Sequence, residues 1–268
     1  MSVSAALSSV PETVGFELFN PSGRRGRIRV TELLYLDDSY LTAFDARVVE
    51  RTDTGVVLDR TLFYARGGGQ MGDTGELRGA GGRAKVLGTE KRDGQVWHVV
   101  EANGLSEGEQ VNGAIDWDHR YQQMRTHTAL HILCGIIFKQ YRATVTGCQM
   151  YPDKARMDFT LGDLSPERIK EIERLSNEAV KAGYAVRSRW VSRTEAERIP
   201  DLVRTRVSLL PPEMDPIRIV EITGLDLQAD GGTHVRNTFE VGGITIVKTE
   251  NKGAANKRIE IVIPEAMP

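Results

Sequence analysis

Short apolar runs broken by Gly, Asp and Asn fill the first ~115 residues, and long helical periodicity is absent there, the pattern of a small β domain. The alternation predicts strands over 27–36, 41–51, 55–63, 83–90 and 95–100. The segment GELRGAGGRAKVL reads as a hairpin that turns on its glycines. At Asp116 the texture changes. Residues 117–143 contain no proline and a single glycine, and Leu130, Leu133, Cys134 and Ile137 recur at helical spacing, so a helix capped by Asp116 is predicted. A second helix carries a fuller signature. Ser165 suits the N-cap, Pro166 the first helical position and Glu167 the first turn. Ile169, Ile172, Leu175 and Ala179 mark its apolar face, and Gly183 can end it. Thr194 and Glu197 have capping-box spacing and predict a short helix. Strands return at 217–222, 243–249 and 257–263. The class is α+β, with residues 1–115 as a β domain carrying a glycine-rich motif and residues 116–268 as helices packed on one sheet.

Composition narrows the possibilities. The 268 residues carry 35 Lys+Arg against 37 Asp+Glu, a formal charge of -2, which excludes a globally basic nucleic-acid coat and leaves only local patches. No apolar run reaches the ~18 residues of a membrane helix, so no membrane association is expected. The N-terminal MSVSAALSSVPETVGFELF lacks a basic start and an apolar signal core. Cys134 and Cys148, the only cysteines, cannot form a disulfide scaffold and fit a reducing cytoplasm. Cys134 lies on the apolar helix face and reads as core, His98 reads as structural, and sequence does not place Cys148.

Of five histidines, His127 and His131 lie four residues apart in the predicted helix. That spacing stacks both imidazoles on one face, where they can share a cation, zinc being the usual one. Thr-Ala-Leu lies between them, so the HExxH metallopeptidase pattern fails. Asp230-Gly-Gly-Thr-His234 supplies a second polar pair around two glycines. Alone it reads as a loop with an Asx turn; with the helix pair it makes a site of three or four ligands. The segment from Thr61 to Gly75, TLFYARGGGQMGDTG, lacks the GK[ST] of a phosphate loop. By composition it is a glycine-rich turn. In a functional reading its backbone amides approach a ligand, while Thr61 and Gln70 supply directional hydrogen bonds.

Together TLFYARGGGQMGDTG, HTALH, DGGTHV and TENKGAANKRIEI, in this order, resemble the editing module of alanyl-tRNA synthetase. The free-standing alanyl-tRNA editing proteins of the AlaX type are the nearer likeness, from about Tyr40 to Ile263. The resemblance implies a small N-terminal β-barrel-like domain followed by a two-layer α+β editing domain. It implies trans-acting hydrolysis of tRNA(Ala) mischarged with serine, and sometimes glycine, since no aminoacylation domain precedes the matching region. It implies one zinc ion at His127, His131, Asp230 and His234. It also implies that Thr61 meets the serine hydroxyl and that Gln70 belongs to the pocket, so that Thr61, Gln70 and Asp230 are the expected catalytic set.

The departure is Asp230, where the common pattern has Cys. A carboxylate keeps the charge of a thiolate but is a harder ligand, so divalent metals other than zinc are less excluded. Either Asp230 ligates, or three histidines bind and Asp230 orients a water; a carboxylate so close should compete well with water. Backbone amides of Gly67, Gly68 and Gly69 could face an oxyanion. For tRNA phosphates the candidates are Lys252, Lys257 and Arg258, then the run Arg24, Arg25, Arg27 and Arg29, with His119 and Arg120 weaker. Competing readings are editing of another tRNA such as seryl-tRNA(Thr), a non-catalytic tRNA-binding module, and a metallohydrolase of an unrelated small ester. A monomer is expected.

Overall fold

The computed structural model describes residues 31–101, 104–202 and 214–264. Its first half runs through β1 (Glu32–Leu33), β2 (Ala43–Thr52), β3 (Gly55–Leu58), β4 (Arg60–Thr61), β5 (Gly75–Gly79), β6 (Gly82–Arg92), β7 (Gln95–Val100) and β8 (Gln110–Ile115). Six of these close a barrel in the order β2-β3-β7-β6-β5-β8, while β1 pairs in parallel with β4 outside it. Period-two alternation turns Phe44, Ala46 and Val48 of β2, Ala84 and Val86 of β6, and Val111 and Ile115 of β8 into the barrel core.

Two expected strands differ. Of 27–36, residues 27–30 lie outside the described residues, together with Arg24 and Arg25, and the remainder forms only the two-residue β1 and a 3₁₀ turn, Leu34–Leu36. The run 55–63 is broken at Asp59, whose carboxylate takes the Arg47 N–H that a continuing ladder would use. The chain leaves the barrel there as β4, and Leu62 and Phe63 pack into the core without strand structure.

The second half comprises α1 (Trp117–Tyr141), β9 (Val145–Met150), β10 (Ala155–Phe159), α2 (Pro166–Ala182), β11 (Val186–Val191), α3 (Arg193–Arg198), β12 (Ile217–Ile222), β13 (Asp226–Ala229), β14 (Thr245–Gly253) and β15 (Asn256–Val262). The caps of the two long helices are those expected. Asp116 accepts the His119 N–H, Ser165 accepts the Arg168 N–H, and Gly183 adopts the left-handed conformation after α2. The short helix starts earlier than expected: Ser192, not Thr194, caps it by accepting the Glu195 N–H. One sheet was expected and there are two, both antiparallel, ordered β14-β15-β10-β9 and β11-β12-β13. Helix α1 packs against α2, β13, β9 and β10, so it is covered all round from Gln123 to Phe138. No described helix is long and apolar enough to cross a membrane.

Barrel and helix are pinned together by Arg120, fully buried in the first turn of α1. Its guanidinium donates to the buried Asp73 carboxylate and to the carbonyls of Ser39 and Leu62. Asp73 also accepts the Tyr64 N–H at 2.7 Å. Arg120 is therefore withdrawn from RNA, contrary to its weak candidacy. His119 reaches the Gly72 carbonyl at 3.2 Å.

Candidate metal centre

Four residues on α1 correspond to just over one turn, which sets the rings of His127 and His131 5.1 Å apart. Opposite them the chain leaves β13 in a tight turn. The Gly232 N–H donates to Asp230 Oδ1 at 3.1 Å, the Asx turn expected of the sequence. The buried Arg218 braces this turn by donating to the carbonyls of Asp230 and Gly232. Gly232 is required by close approach: a Cβ there would lie 2.5 Å from His127 Nδ1 and 2.9 Å from Gln70 Oε1. The turn brings His234 against the helix pair, stacked on His127 with ring centres 4.3 Å apart and 4.7 Å from His131.

Ligand atoms of His127, His131, Asp230 and His234 all lie within 4.8 Å of one another. Asp230 Oδ2 is 3.8 Å from Nε2 of both His127 and His131, and 2.6 Å from Nε2 of His234. Ligands of a tetrahedral divalent ion at about 2.0–2.1 Å stand roughly 3.4 Å apart, so the cluster has the dimensions of such a site, with His234 and Asp230 drawn closer than an ion would hold them.

The far side of each ring decides which nitrogen faces the centre. His127 Nδ1–H donates to Gln70 Oε1 at 3.0 Å, and His131 Nδ1–H donates to Asp226 Oδ2 at 2.8 Å. His234 Nδ1 lies 3.2 Å from Thr128 Oγ1, whose own proton goes to the Met124 carbonyl. Nδ1 of His127 and of His131 is thus committed as a donor, and the Nε2 atoms of all three rings converge on one carboxylate oxygen, to which His234 Nε2–H donates at 2.6 Å, a proton that an ion would replace. Burial holds His127 well below the ordinary imidazole range and His234 at about 4, so both rings are neutral at pH 7. Burial opposes the charge of Asp230, but His127 and His234 outweigh it and hold the carboxyl well below its usual range. Neutral imidazoles and an ionised carboxylate, with Nε2 and Oδ2 facing inward, are the donor set of a divalent metal ion. The residues present therefore fit one.

The other expected site residues divide. Gln70 is buried with its amide spent inside the protein: its oxygen accepts from His127 and from the Thr233 N–H, and its nitrogen donates to Thr233 Oγ1. It orients the His127 ring. Thr61 is buried as well. His98 Nδ1–H donates to the Val56 carbonyl, so its Nε2 accepts from the Thr61 hydroxyl at 2.7 Å, and Thr61 Oγ1 in turn accepts the Phe63 N–H. Burial lowers His98 to about 4 and keeps it neutral.

The glycine segment is a β-turn. Gly68 and Gly69 have φ of 57° and 87°, and Gly67 and Gln70 exchange backbone hydrogen bonds, the requirement of a type I′ turn. Gly69 packs on Cys148 of β9 and accepts the Met150 N–H. Burial, with Asp230 nearby, pushes the Cys148 thiol up to about 12, so it is protonated and inert as a nucleophile.

The proposed phosphate contacts are occupied within the protein. Lys257 is buried and donates to Asn251 Oδ1 and to the carbonyls of Gly253 and Ala254; Arg258 grips Asp158 with two nitrogens; Lys252 pairs with Glu250. Asp226, Thr128 and Arg218 went unnoticed in the sequence. A signal existed for the first: on a strand, Asp226 and Gln228 fall two residues apart on one face.

Residues 32–119 match the family described as tRNA synthetases class II (A), and residues 217–260 match the threonyl and alanyl tRNA synthetase second additional domain. The chain is 40% identical to proteins named alanyl-tRNA editing protein AlaX-M from Methanosarcina barkeri and from Saccharolobus solfataricus, each comparison covering 86% of this chain and 98% of the relative. It is also 38% identical to the alanine–tRNA ligase of Pyrococcus abyssi over 95% of this chain, which corresponds to 28% of that enzyme. With a barrel, a helix-borne histidine pair and an inward-facing donor cluster now joined to near-complete coverage of these relatives, the chain belongs to the alanyl-tRNA editing protein family.

Proposed function

We propose that this protein is a trans-acting aminoacyl-tRNA deacylase that hydrolyses the ester of mischarged tRNA(Ala), chiefly seryl-tRNA(Ala), with glycyl-tRNA(Ala) as a second substrate. The observation that carries the reading is the convergence of His127, His131, His234 and Asp230 on one point in a chain of this family. Those four would hold one zinc ion, with Asp230 as a ligand. When bound, the ion supplies Lewis acidity toward the ester carbonyl or toward an attacking water.

The remaining work falls to the chain. Gln70, Thr128 and Asp226 hold the imidazoles with Nε2 inward. In the glycine turn the Gly67 and Gln70 amides bond to each other's carbonyls, so Gly68 and Gly69 carry the amides offered to a developing oxyanion. Thr61 has given its proton to His98 and accepted one from Phe63; it is left as an acceptor only. A serine hydroxyl can donate to it, and alanine cannot. Such a contact discriminates by leaving a polar group unpaired when the wrong side chain enters. Among the described residues, a cavity of about 250 Å³ bordered by Arg187, Arg218 and His234 meets the cluster through His234 alone. Of the three proposed phosphate contacts, Lys252 is the most exposed, at 38% of its side chain, and would be the one to meet a phosphate.

The test is a deacylation panel with seryl-, glycyl- and alanyl-tRNA(Ala), with and without a chelator. Rapid loss of the seryl ester, a spared alanyl ester and abolition by the chelator are expected. Chelator-insensitive hydrolysis would remove the metal, and binding without hydrolysis would remove the activity. Because the second additional domain is shared with threonyl synthetases, seryl-tRNA(Thr) belongs in the panel as the second substrate reading.

A further inference from the structure

The three rings of the cluster are backed unequally. Gln70 offers His127 a neutral amide and Thr128 offers His234 a neutral hydroxyl, whereas Asp226 offers His131 a carboxylate. The side chain of Asp226 is wholly buried. Its Oδ2 also accepts the Gln228 amide at 2.7 Å, and that amide in turn lies 3.5 Å from Cys134 Sγ, on the same helical face as His131. The approach depends on the one glycine of α1. A Cβ at Gly135 would lie 2.9 Å from the Leu225 carbonyl and 3.2 Å from Asp226 Cβ. A glycine in mid-helix costs about 1 kcal/mol relative to alanine, and here it lets the β12–β13 turn come close enough for Asp226 to reach His131.

Building on the proposed metal site, we propose that Asp226 is a positioning residue. It fixes His131 as the Nδ1–H tautomer, aims Nε2 at Asp230, and places a second carboxylate behind the ligands of a divalent cation. A carboxylate hydrogen-bonded to a ligand imidazole makes the ring a better electron donor, and loss of such a partner typically weakens metal binding 10–100-fold. Asp226→Asn keeps an acceptor but removes the charge; Asp226→Ala removes both; Asp226→Glu retains the carboxylate.

The experiment measures zinc affinity of the whole chain by competition with a chromophoric chelator and follows the visible spectrum of the cobalt-substituted protein. Circular dichroism of the metal-free proteins checks folding. Expected is one ion per chain in the wild type, a 10–100-fold weaker site with an altered cobalt spectrum in Asp226→Asn, at least as large a loss in Asp226→Ala, and partial recovery in Asp226→Glu. Affinities of the Asn and Ala variants within twofold of wild type would overturn the proposal. If those variants do not fold, ¹⁵N NMR of the metal-free wild type at pH 8 decides: His131 as the Nδ1–H tautomer supports it, and the Nε2–H tautomer overturns it. A wild type that takes up no metal would instead remove the metal from the proposed function, and the tautomer would still judge Asp226.

Discussion

Gly232→Ala adds one methyl group at the most crowded point of the centre. The new Cβ would stand 2.5 Å from His127 Nδ1 and 2.9 Å from Gln70 Oε1, where ordinary contact begins near 3.4 Å. The imidazole must retreat by about 1 Å, and it cannot swing freely because Gln70, itself held by Thr233, fixes its Nδ1. Displacements of about 1 Å in a reacting constellation cost on the order of 10²-fold in rate. The neighbouring Gly231 is the control, since a Cβ there meets nothing within 4 Å. Expected for Gly232→Ala is about a hundredfold loss of seryl-tRNA(Ala) deacylation and weakened zinc uptake, with the Gly231→Ala protein close to wild type. The readouts are single-turnover deacylation and chelator competition. Wild-type rate and metal affinity in Gly232→Ala would refute the claim that His127 must occupy its present position.

Three further outcomes arise from the buried polar groups. Arg120→Met leaves the Asp73 carboxylate buried without its cation, and loss of one partner of such a pair costs about 3–5 kcal/mol, to be read as a shift in the denaturant midpoint. His98 titrates at about 4 in the folded chain and near 6.5 when unfolded, so its contribution is complete above about pH 6.5 and declines as pH falls toward 4. Between pH 6.5 and 5 it amounts to about 2 kcal/mol, and this part of the stability loss should vanish in His98→Gln by denaturation at both pH values. Thr61→Val removes the acceptor proposed for the serine hydroxyl; a fall of about 10–100-fold in the preference for seryl- over alanyl-tRNA(Ala) is expected, and an unchanged preference would release Thr61 from that role.

The long helices were legible because caps and apolar spacing agree: Ser165, Pro166 and Gly183 bracket α2 within a residue. The strands β8, β9, β10, β11 and β13 were not. Val145–Met150 and Val186–Val191 bury only their end residues and expose or half-expose polar ones between, so neither periodicity nor composition marks them. The His/Asp cluster was legible through the local i, i+4 spacing of His127 and His131 and the compact turn from Asp230 to His234. The support behind it was hidden by distance along the chain. Gln70 reaches Thr233 across 163 residues, and Asp226 meets His131 across 95; only the folded barrel and sheet bring them together. Basic patches mislead for the related reason that a sequence does not display partners: Arg258 and Asp158 are 100 residues apart.

The glycine turn has a consequence for how a substrate gains access. Gly69 is tied to Met150 on one flank, Gln70 to His127 and Thr233 on another, and Asp73 to Arg120 and Tyr64 at the base. A segment so tethered cannot lift away as a flap without breaking bonds to three separate elements. Despite its glycines it is a fixed wall, set before any ligand arrives, and the energy of ordering it is spent during folding rather than at the moment of encounter.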